Sequence, residues 1–118
     1  MKGLLLAIVA ATSTSCASYS ERQAQSPWFT LASDLSVTEQ EQCLAPKLRE
    51  ISPRITGAPD GDAKVYAIVA DPAVLGTITI RPLATGSITE IRSVVTGGKF
   101  KEARLAVESC KGQPILLR

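Results

Sequence analysis

Lys2 is followed by an unbroken apolar run, Leu4 to Ala11, which gives way to Thr12-Ser13-Thr14-Ser15 and then Cys16-Ala17. A charged start, an apolar middle and a stretch of small residues form the layout of a cleavable export signal. The run has eight residues, far short of the roughly 20 a membrane-spanning helix needs. No polar residue within it marks a second face, as an amphipathic core helix would require. The layout therefore sends the rest of the chain, about a hundred residues, out of the cytoplasm. There it is long enough for one compact domain with a modest core.

The cysteines sharpen this reading. Ser15 and Ala17 are small residues at the spacing an ordinary signal peptidase uses, which would release a soluble chain from Ser18. Ser15-Cys16 also resembles the end of a bacterial lipoprotein signal, where the cysteine is lipidated and becomes the first mature residue. Ser13 stands where that motif usually carries an aliphatic residue. The chain has three cysteines, and an odd one in an exported protein asks for an explanation. A lipid on Cys16 supplies it and leaves Cys43 and Cys110 as a pair for an oxidising compartment. Both lie on expected helices far apart in sequence, which favours a structural staple over a redox-active pair.

Charge and composition exclude several functions. The formal net charge is +2, and removing Lys2 leaves +1, with no concentrated basic stretch for nucleic acid. Histidine is absent, which removes the commonest general base and the commonest metal ligand together. No cofactor and no metal are expected. Asp60-Gly61-Asp62 resembles a fragment of a calcium loop but lacks the remaining ligands, so it reads as an acidic turn. Thr96-Gly97-Gly98-Lys99 resembles part of a phosphate loop, yet Phe100 occupies the place of the required hydroxyl, so a helix start is expected. Asp34, Asp71, Glu90 and Glu108 are spread along the chain and read as solvated surface rather than paired catalytic carboxylates.

The pass along the chain gives a signal peptide over 1–16, a tether and docking segment over 17–33, and one α+β domain over 34–118. Within the tether, Pro27-Trp28-Phe29 is an apolar patch, read either as packing on the domain edge or as a docking peptide. Ser36-Val37-Thr38-Glu39 has capping-box spacing and opens a helix with Val37, Leu44, Leu48 and Ile51 on one face. A kink is expected at Pro46 and an end near Ser52-Pro53. Residues 56–63 read as a turn-rich loop. Lys64 to Asp71 is β-branched and apolar on both faces and Thr77 to Arg81 alternates, so both read as strands. Ile88 to Thr96 admits a helix, with Ile88, Ile91 and Val95 at helical spacing behind a Ser87–Glu90 cap, but its β-branched residues and the tight turn before it favour a strand. Gly97-Gly98 precedes a second helix over Phe100 to Cys110, and Pro114 to Leu117 suits a short closing strand. The expected fold is a helix, a three-stranded antiparallel meander and a helix, with both helices on one sheet face.

From Gly76 to Val107 the chain resembles the C-terminal domain of the TonB and TolA energy-coupling proteins. The likeness is carried by Ile78 and Ile80, Gly86, Ile88, Ile91 and Val94, Gly97-Gly98, and Phe100, Ala103 and Val107. Similar small α+β modules occur in secretins and in lipoproteins of type IV secretion machines. The resemblance implies a fold and a setting, a small binding module within an envelope assembly. The expected function is accordingly non-catalytic: an interaction module or accessory subunit, lipid-anchored at the periplasmic face of the outer membrane and contacting an envelope protein. A soluble periplasmic chain is the alternative address. A secreted inhibitor or small-ligand binder is the alternative function, and a small hydrolase the third. Expected partner contacts are Trp28, Phe29, Thr79, Arg81 and Glu90, on the docking segment and the outer face of the hairpin.

Overall fold

The protein is described by a computed structural model that places residues 18–70 and 73–111. Its elements run in the order α1 (Tyr19–Ala24), β1 (Phe29–Ser33), α2 (Val37–Ile51), β2 (Thr56–Asp60), β3 (Ala63–Ala70), β4 (Ala73–Pro82), β5 (Ser87–Ser93) and α3 (Lys99–Ser109). The strands form one antiparallel sheet in the order β1-β5-β4-β3-β2. The class is α+β, but the sheet has five strands rather than three. The expected meander is its centre, and β1 and β2 are added at the two edges.

Register sets the faces. Ile78 pairs with Tyr66 on one side and Ile91 on the other, and Ile80 pairs with Lys64 and Thr89. Because side chains alternate along a strand, Tyr66, Ile68, Ile78, Ile80 and Ile91 share one face. They form the core with Leu44 and Leu48 of α2 and Phe100, Ala103 and Val107 of α3. Gly76 leaves room for the Phe100 ring, which would lie 2.5 Å from any Cβ placed there. Two helices therefore cover one face of the sheet, as their apolar spacings imply.

Local chemistry explains each boundary. Ser36 accepts from the Glu39 amide while the Glu39 carboxylate accepts from the Ser36 amide, so the capping box starts α2 as expected. The helix ends at Ser52. Pro46 lies inside it on an exposed position, so the carbonyl it leaves without an amide partner faces water. Gly98, with φ of +59°, precedes α3. Cys43 on α2 and Cys110 at the end of α3 are joined by a disulfide, their Cα atoms 5.8 Å apart.

Three expectations fail. The loop foreseen over 56–63 is a hairpin, β2 and β3 joined across Gly61-Asp62. Gly61 has φ of +61°, as the first central position of a type II′ turn requires. Ladder bonds alternate along the strand; counted back from the closing pair Asp60–Ala63, Gly57 and Pro59 direct their backbone groups away from the sheet. Pro59 has no N–H, so this edge has a gap in its outward donors. The tether foreseen over 18–26 contains α1, started by a second capping box between Ser18 and Glu21. The docking segment contributes β1, with Phe29 opposite Ile91 and Leu31 opposite Thr89, so the domain begins well before residue 34. The closing strand expected over 114–117, like Cys16, lies outside the described residues.

Candidate functional site

All strands lie antiparallel to their neighbours, so the sheet has two distinct ends. At one end lie the β2–β3 turn, Pro82, Ser87 and Ser33; at the other lie Phe29, Thr56, Ala70, Ala73 and Ser93. The second end carries exposed valines. Val69 is 51 % exposed, Val94 48 % and Val95 55 %. Val69 pairs with Val74 at the start of β4, and the Val94 amide donates to the Leu75 carbonyl. The exposed valines thus flank β4 on both sides.

Trp28 belongs to this same end. Its amide donates to the Ile91 carbonyl, and its indole Nε1 donates to Ser93 Oγ at 2.7 Å. The Ser93 hydroxyl in turn donates to the Val95 carbonyl. This chain of bonds fixes the turn that displays Val94 and Val95. Trp28 and Phe29 are half-buried against the core, with ring centroids 6.1 Å apart, and the Arg104 guanidinium lies 5.1 Å from the Phe29 ring centre. They are parts of the domain's edge rather than a free peptide. Trp28 packs beside β5, bonded to Ile91 and Ser93.

The expected contact residues on the outer sheet face fare differently. Thr79 is 2 % exposed because α1 lies across it. Thr77 Oγ1 donates to Gln23 Oε1 at 2.6 Å, and Gln23 Nε2 donates to Thr79 Oγ1 at 3.4 Å. Arg22 Nε donates to the Val74 carbonyl at 2.6 Å. Glu90 is also buried, bound by Arg81 through Nε at 3.0 Å and NH2 at 2.7 Å, and by Arg92 at 3.2 Å. The Arg81 bonds hold its carboxyl below the usual carboxylate range against the opposing effect of burial, and Arg92 adds to them. Such a group stays ionised, the wrong state for a general acid. Arg81 alone of these three keeps a half-exposed side chain. Thr79 and Glu90 hold the structure, and the outer face is not the open surface expected.

Beyond α1 the outer face has a groove of about 300 Å³ along the β2–β3 ribbon, lined by Tyr19, Thr56, Ala58, Pro59, Asp60, Val65 and Ala67. Tyr19 lies beside it, its hydroxyl donating to Asp60 Oδ2 at 3.3 Å. Among the described residues, no group of three or more histidine, cysteine, aspartate or glutamate side chains could hold a metal ion. No helix of the described residues is long and apolar enough to cross a membrane.

No protein-family model, curated protein or solved structure matches this chain. The site is therefore argued from its own residues. The valine end carried no motif; its signal was the adjacent pair Val94-Val95, one residue before Gly97-Gly98, where a strand has ended and burial has no reason to continue. Tyr19 was signalled by Ser18-x-x-Glu21, the same capping spacing that announced α2.

Proposed function

We propose that the chain is a non-catalytic protein-interaction module of the bacterial cell envelope, anchored through a lipid on Cys16, which docks its partner at the valine end of the sheet. The observation that carries this is the adjacent exposed pair Val94 and Val95, tied to Trp28 through Ser93. Exposed apolar side chains set side by side are costly in water and mark contact sites, and an aromatic fixed at their margin is a favoured anchor for binding energy. The succession of β4, β5 and α3, which resembles the TonB and TolA C-terminal domain, supports the same setting. The buried, doubly paired state of Glu90 argues against the hydrolase reading.

The test is purification of the protein from its native membrane with its partner attached. Replacing Val94 and Val95 together by serine should remove the partner while leaving the melting temperature within about 2 °C, because surface changes of this kind cost little. Trp28→Ala should lower melting by several degrees through lost packing, whatever it does to binding. Unchanged partner recovery with the double serine variant refutes the docking surface.

A further inference from the structure

Among the described residues α1 covers the outer face only in part: Val65 is 3 % exposed, while the groove beside Tyr19 stays open, and the chain itself indicates what lies against it. Ser18 caps α1, and α1 is bonded to the sheet through Arg22 and Gln23. Cys16 stands two residues before that cap, so even a fully extended chain places it within about 7 Å of Ser18. The polar stretch after the signal is therefore not a spacer. Any lipid on Cys16 enters the bilayer next to the groove lined by Tyr19, Ala58, Pro59, Val65 and Ala67.

We propose that this face, Tyr19 with the β2–β3 ribbon, rests on the lipid surface of the membrane. The inference rests on the lipid-anchored reading given above. Tyr19 is 38 % exposed and is amphipathic, the character favoured at a bilayer interface. Its hydroxyl donates to Asp60 Oδ2, and a carboxylate on this face suits a zwitterionic headgroup layer better than a strongly anionic one. Tyr19 lies by the β2–β3 turn, at the opposite end from Val94. With strands rising about 3.3 Å per residue and spaced about 4.8 Å apart, Trp28, Val94 and Val95 stand about 25 Å from the contact of Tyr19 with Asp60.

Trp28 is the only tryptophan, which makes the geometry measurable. The lipidated protein is placed in vesicles of phosphatidylethanolamine and brominated phosphatidylcholine, as the wild type and as Tyr19→Trp, with acylation checked by intact mass. The added Trp emission should be mostly lost to bromine while Trp28 keeps its own. Acylated protein whose Trp28 alone is quenched, or with neither quenched, overturns this orientation and leaves the anchor intact. Added emission shielded from iodide yet untouched by bromine means a protein covers this face, and overturns it as well. Protein without acylated Cys16 overturns the anchor and this inference together.

Discussion

Glu90 keeps 6 % of its surface, and its two oxygens are shared between Arg81 and Arg92. Its carboxyl titrates below the ordinary range, so the folded state binds that proton less readily than the unfolded chain. The stability this contributes is complete above the unfolded value, near 4.3, and is lost as pH falls through the lower folded value. Glu90→Gln should cost about 2 kcal/mol at neutral pH, in the range of hydrogen bonds to charged groups. The gap between wild type and variant should shrink from pH 6 to pH 3; a gap that stays constant would mean the ionised form is not favoured by the fold. Gly86 makes a second, independent demand. Its φ is +84°, and an added Cβ would fall 1.9 Å from the Ser33 carbonyl oxygen. Gly86→Ala should lower the urea midpoint at unchanged slope, a loss of about 2 kcal/mol or more in unfolding free energy, through strain and displacement of β1 together.

At the scale of elements, α1 is the least secured. It has six residues and buries none of them, and so short a helix is marginal without tertiary support. Gln23 and Arg22 supply that support by hydrogen bonds to β4. Hydrogen exchange should show α1 amides opening far faster than those of β4. Gln23→Ala should speed them further and cost about 1–2 kcal/mol, by stranding the Thr77 and Thr79 hydroxyls. Equal protection of α1 and β4 would contradict this account. The elements legible in the sequence were those with their own periodicity or cap: α2 from Ser36 and Glu39, β3 and β4 from β-branched runs, α3 from Phe100, Ala103 and Val107. β2 was not, because Thr-Gly-Ala-Pro-Asp has poor strand propensity and owes its state to pairing with β3. β1 did alternate, Phe29 and Leu31 inward, but is only five residues long. The site divided the same way. Trp28 was visible as an aromatic without a periodic context, whereas the burial of Thr79 and Glu90 depends on where α1 packs and on the reach of Arg92, which no local pattern reveals.

Across the whole molecule, two links hold the N-terminal third to the C-terminal one. The disulfide spans 67 residues, and closing a loop of that length is worth about 4 kcal/mol in the chain-entropy model. Cys43→Ser or Cys110→Ser should therefore lower the melting temperature by roughly 15 °C or more in a domain this size; a loss of only a few degrees would mean the helix packing carries the link unaided. The other link is the pairing of β1 with β5. It is the most non-local strand contact in the sheet, and such contacts slow folding because loop closure precedes any gain. For a chain threaded outward N-terminus first, this sets a schedule. Residues 29–33 emerge early and have no partner until residues 87–93 follow, so Phe29 and Leu31 wait in water through most of the passage. The sheet closes, and the cysteines meet, only when nearly the whole domain is across. On the export reading proposed above, so late a closure means that the fold is completed only in the compartment that receives the chain.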